Sequence, residues 1–164
     1  MLFQLFILSF VDARAIVAPE IAPVSNHQLM VRLYSRTGRF MSINNRSVGQ
    51  SGSNSLNSVL ELVRTSSGLL IKSPVNGRFL GISNSGRVRT TSNSLSAAFF
   101  EEEKIPENNF STFKIAGKDN CRLMASRLRY RVVCDEKAQR NSAKISFLAK
   151  KAHIPLKFLA GESH

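Results

Sequence analysis

The chain has 164 residues, 43% of them hydrophobic and 21% charged. That length fits one domain with a real core and leaves little for a second. The balance excludes global disorder, and no helix-period pattern dominates. The net charge of +12 points to a polyanionic partner and is unevenly placed: residues 111–164 carry a balance of +8 and residues 1–110 a balance of +4. Such a field attracts nucleic acid inside a cell and sulfated glycosaminoglycan outside it, by the same release of counterions.

In chain order, "MLFQLFILSFVDARA" comes first. Its apolar run from Leu2 to Val11 is too short to span a bilayer and ends in the small-residue pattern Ala13-Arg14-Ala15. It reads as a secretory signal peptide over residues 1–15, although its start lacks Lys and Arg, followed by an N-terminal extension over 16–31. The apolar tail "HIPLKFLA" is broken by Pro155 and Lys157, so no membrane insertion is expected.

The next feature is a repeat. Arg39-Phe40-Met41-Ser42-Ile43 is echoed by Arg78-Phe79-Leu80-Gly81-Ile82 and, more loosely, by Cys121-Arg122-Leu123-Met124-Ala125. Each copy alternates or nearly alternates apolar side chains and leads to a second short strand centred on Val48, Val88 or Val132, which predicts three β-hairpins. Further strands are expected in "SVLELVR" (58–64), "GLLIKS" (68–73), "AAFFEEE" (97–103) and "FSTFKIA" (110–116), with "SVGQSGSNSLNS" (47–58) as a polar loop. A hairpin alone is marginal, so three of them must close around a shared core. The predicted fold is all-β, a β-trefoil of three hairpin-containing repeats.

Catalytic chemistry is absent from the pattern. His27, His153 and His164 have no metal-ligand spacing, and there is neither a nucleophile elbow nor a phosphate-binding glycine loop. Glu101-Glu102-Glu103 reads as a solvated edge or a set of charge partners for arginines rather than an acid/base pair. No enzymatic activity, cofactor or metal is expected. Cys121 and Cys134 either pair or remain two buried thiols; their spacing leaves both open. Two sequons place candidate glycosylation sites at Asn45 and Asn109.

"RLYSRTGRFMSI" (32–43), "NGRFLGISNSGRV" (76–88), "PENNFSTF" (106–113) and "KISFLAKK" (144–151) together resemble, in order and spacing, the fibroblast growth factors. The resemblance implies a growth-factor trefoil over residues 32–151 with a tail over 152–164. It implies a secreted ligand that binds and activates a fibroblast growth factor receptor ectodomain, with heparan sulfate proteoglycan as co-receptor and no nucleic acid partner. The family's receptor contacts fall on Tyr34, Phe79, Glu107, Phe113 and Leu148. Phe79, Phe110 and Phe147 also suit a core by strand alternation. The family's sulfate-binding surface falls on Thr37 and on Arg127, Arg129, Arg131, Lys137, Arg140 and Lys144, where arginine forks suit two-point contacts with sulfate. Departures mark a divergent chain: there is no tryptophan, Cys121 stands at the usual tryptophan position, and Asp135-Glu136 interrupts the basic stretch. A glycan-binding trefoil without receptor activation is the alternative, although the Gln-x-Trp repeats that trefoil lectins carry are missing. An intracellular basic trefoil acting on nucleic acid or a cytoskeletal partner is a third reading.

Overall fold

The computed structural model describes residues 29–52, 55–127, 129–135, 140 and 142–152. The expected signal peptide, most of the N-terminal extension, Lys137 and nearly all of the tail lie outside the described residues. Among the described residues twelve strands follow one another: β1 (Leu29–Ser35), β2 (Arg39–Ile43), β3 (Val48–Ser51), β4 (Leu60–Thr65), β5 (Gly68–Lys72), β6 (Phe79–Ile82), β7 (Val88–Thr91), β8 (Phe100–Lys104), β9 (Ser111–Ile115), β10 (Lys118–Ala125), β11 (Tyr130–Cys134) and β12 (Phe147–Lys151). The boundary expected at residue 32 falls inside β1. The segment read as a loop over 47–58 contains β3 and a short 3-10 turn at Leu56–Ser58.

Antiparallel pairing closes a ring: β1 joins β4, then β5, β8, β9 and β12, which returns to β1. Onto β1, β5 and β9 hang the hairpins β2–β3, β6–β7 and β10–β11. The chain therefore builds one four-strand unit three times, which is the trefoil expected from the repeat. Closure removes the ring's unpaired edges. Where β5 approaches β8, a Cβ on Gly68 (φ +129°) would stand 2.9 Å from the Phe100 carbonyl oxygen, so only glycine fits there.

The core follows from alternation. Val31 and Leu33 of β1, Leu60 and Leu62 of β4, and Leu69 and Ile71 of β5 face inward with Phe100, Phe113 and Phe147. Phe113 meets Phe100 edge-on at 6.4 Å and Phe147 at 5.8 Å between ring centroids. Each such ring, fully buried, contributes about 1.5–3 kcal/mol. From the hairpins, Met41, Ile43, Leu80, Leu123, Ala125 and Tyr130 plug one end of this core, with Val48 and Val88 packed against it.

Cys121 and Cys134 stand opposite one another on β10 and β11 and form a disulfide. The pairing that sequence spacing left open is thereby settled, and it staples the third hairpin at its open end.

Candidate functional site

Two outward surfaces gather the residues singled out by sequence. The first lies on β1, β2 and β12. Register sets Tyr34 directly opposite both Phe40 and Leu148, and all three are half-buried. The Tyr34 and Phe40 rings lie 5.1 Å apart, and the Lys150 ammonium caps Tyr34 at 4.8 Å. The β8–β9 turn reaches the same side: the Arg36 guanidinium sits 5.7 Å from the Phe110 ring, joining that turn to the β1–β2 turn. Glu107 is exposed in the β8–β9 turn, whose shape comes from Asn108 Oδ1 accepting the Phe110 N–H. Asn109 is exposed there too.

Two of the expected receptor residues lie elsewhere. Phe113, assigned to this surface by its motif position, has no exposed area and belongs to the core, so a direct contact is ruled out for it. Alternation explains why. Lys114 turns outward to the carboxylates of β8, and Thr112, itself buried, bonds to Glu103 on that same side of the strand, which leaves Phe113 facing the core. Phe147 is buried as well. Phe79 is half-buried on β6, with β4 and β5 between it and β1, and its ring lies 5.8 Å from the Lys72 ammonium. Phe40 is the residue that sequence reasoning did not assign. Its signal was its place two positions from Gly38, directly across the turn from Tyr34.

The second surface is the cap formed where the three hairpin turns meet. Each turn begins with a small polar residue that ties it down. Asn44 Oδ1 accepts the N–H groups of Arg46 and Ser47 at 3.0 and 2.8 Å. Ser83 Oγ accepts the Arg87 N–H at 3.2 Å, and Ser126 Oγ donates to the Arg129 carbonyl at 3.0 Å. Gly86, with φ +76°, supplies the left-handed corner of the second turn. Cross-hairpin bonds then lock the three together: the Val132 N–H donates to the Gly86 carbonyl at 2.9 Å, and Gln50 Nε2 donates to the Ser126 carbonyl.

The register repeats as well. Val48 pairs with Ile43, Val88 with Ile82 and Tyr130 with Ala125, so these three side chains are equivalent and point into the core. Their neighbours must point out. In the second and third hairpins those neighbours are Arg87 and Arg89, and Arg129 and Arg131. With Arg46 and Arg140 they line an open depression of about 1300 Å³. Tyr130 contributes no charge, because burial pushes its phenol up and holds it neutral. Asp135 is the one carboxylate among the described lining residues, and it occupies the left-handed region at φ 60°.

The basic residues expected from sequence distribute around this cap. Arg129, Arg131 and Arg140 line it, and Arg127 is exposed in the adjoining turn. Lys144 is exposed, and its carbonyl accepts the Ala125 N–H. Two residues on, the Ser146 carbonyl accepts the Arg36 N–H, so one short segment runs from the cap to the β1–β2 turn. There Thr37 is exposed and bonded to Ser35 Oγ. Arg46, Arg87 and Arg89 were missed as site residues. Asn45, the other sequon, is exposed beside Arg46.

A third charged region is self-neutralised. Lys114 meets Glu101 at 2.8 Å, Asp119 at 3.2 Å and Glu103 at 3.4 Å, and Arg122 meets Glu103 at 3.1 Å. Glu102 bonds to Ser111 and Lys104. Burial alone would raise both glutamates. Hydrogen bonds from Lys104 and Ser111 hold Glu102 below its ordinary value, and those from Arg122 and Lys114 hold Glu103 below its own. Among the described residues no group of three potential metal ligands occurs, and no helix is long and apolar enough to cross a membrane.

Comparison with known proteins agrees with this geometry. The ricin B-like lectin of Macrolepiota procera, solved in complex with lactose, superposes with a TM-score of 0.64 at 12% identity, covering 80% of this chain and 100% of the lectin. At that identity the likeness shows the fold alone. No curated protein sequence matches significantly. The fibroblast growth factor family model matches residues 29–148, from the first strand of the ring into the last. The chain belongs to the fibroblast growth factor family.

Proposed function

We propose that this protein is a secreted growth factor that activates a receptor tyrosine kinase of the fibroblast growth factor receptor type, with heparan sulfate as co-receptor. The observation that carries the reading is the half-exposed Tyr34, Phe40 and Leu148 cluster on the outer face of a growth-factor trefoil. An amphipathic tyrosine flanked by apolar side chains is the composition of an interface hot spot. Glu107 offers a carboxylate at the neighbouring turn, and Phe79 is a contact on a separate face.

Polyanion binding is assigned to Arg127, Arg129, Arg131, Lys137, Arg140 and Lys144, with Thr37 at the far end of the segment that joins the cap to the β1–β2 turn. The disulfide supports export, since such bonds persist in oxidising compartments. A glycan on Asn109 would stand beside the receptor face, so the reading requires that site to be unoccupied in active protein.

The test is receptor phosphorylation in cells bearing the receptor, with and without heparin. Leu148→Ala is expected to weaken the response by more than about tenfold, as loss of an interface anchor does, while its melting temperature and heparin elution stay unchanged. Loss of both signalling and heparin binding would mean that Leu148 serves the fold instead.

A further inference from the structure

We infer that the cap of the three hairpins is itself a polyanion site, built by all three repeats and shaped for a segment of sulfated glycan. The inference rests on the heparan sulfate reading above and extends it to Arg46, Arg87 and Arg89, which lie outside the basic C-terminal stretch.

Three observations support it. Arg87 and Arg131 are directly opposed as bridge partners between hairpins. Like charges facing one another across strands destabilise the pair, and a bound anion between them reverses the sign. Second, Arg46, Arg87, Arg89, Arg129 and Arg131 are all exposed and make no ion pair with any described residue. Their forks are therefore available for two-point contacts with sulfate. Third, Val48, Val88 and Val132 are only half-buried, so the sides turned away from the core line the depression beneath this rim. A pyranose ring presents an apolar face to such a floor while its sulfates reach the rim. A single small anion would engage only one or two of these arginines, whereas a chain carrying several sulfates engages all three hairpins at once.

The experiment is calorimetric titration of a size-defined heparin hexasaccharide into the mature protein at several salt concentrations. Arg87→Ala/Arg89→Ala is expected to bind about tenfold or more weakly and to lower the salt slope by roughly 1.5–2. Lys118→Ala, an exposed cation away from the cap, should bind within about twofold of the parent. Without ligand, Arg87→Ala should keep or raise the melting temperature, because it removes the repulsion with Arg131. A parent protein that binds normally while the double variant stays within about twofold overturns the cap and leaves the heparan sulfate reading standing. A parent protein that fails to bind the hexasaccharide overturns that reading itself.

Discussion

The cap and the β8–β9–β10 face carry similar numbers of charged side chains and put them to opposite uses. On the sheet face, the acidic strand β8 lies beside β9: register sets Lys114 opposite Glu101, and Arg122, although it faces Lys114 across β9–β10, reaches Glu103, so both cations find a carboxylate and their charge is spent internally. At the cap, register sets arginine against arginine and leaves the field pointing outward. Net charge alone therefore does not locate a binding surface in this molecule. Pairing does, and pairing is decided by which strands lie side by side.

The largest way to break this contrast is to loosen the third hairpin. Cys121→Ser/Cys134→Ser opens a bridge spanning 13 residues, and loop-closure entropy puts the loss at about 3 kcal/mol of stability. Chemical denaturation should show that loss, together with weaker heparin binding as Arg129 and Arg131 lose their fixed place. Unchanged heparin elution in the folded double variant would mean that the hairpin holds its geometry without the staple.

Acid separates the two regions next. Glu102 and Glu103 titrate below the ordinary value of 4.5 in the folded protein. Their contribution to stability is complete above 4.5 and is lost as pH falls through the lower folded values. Melting temperature should decline in that acid window, and Glu103→Gln should flatten the decline. A guanidinium as such does not titrate in acid, so acid should weaken the fold before it weakens the field. An equally steep decline in Glu103→Gln would place the acid sensitivity elsewhere.

The smallest effect belongs to Asp135→Gly. It relieves a left-handed backbone that suits glycine and removes a carboxylate from the arginine rim. It should stabilise the protein by about 0.5–1 kcal/mol in thermal melts and raise the salt needed to elute it from heparin. A lower elution salt would show that Asp135 orients an arginine rather than opposing the ligand.

Much of the fold was legible in the sequence because alternation and turn chemistry are local. The three copies at Arg39–Ile43, Arg78–Ile82 and Cys121–Ala125 became β2, β6 and most of β10, and each return strand followed. The site was less legible. Phe113 was misplaced because a motif position outweighed the polar flanks Thr112 and Lys114, which already pointed it inward. The cap was missed because it joins turns that are far apart in sequence. Yet Arg87-Val88-Arg89 and Arg129-Tyr130-Arg131 occupy the same register, and aligning the return strands on the residue opposite Ile43, Ile82 and Ala125 brings them together. Aligning on Val132 hid this by two positions. The Cys121–Cys134 bond likewise depended on strand register, which spacing alone does not determine.

The central claim is that arrangement, rather than total charge, makes the polyanion site. Heparin-column elution of two variants tests it most directly, each lacking two cations: Arg87→Ala/Arg89→Ala at the cap and Lys114→Ala/Arg122→Ala on the sheet face. The cap variant is predicted to elute at clearly lower salt, and the sheet-face variant close to the parent. Equal shifts in both would contradict the account.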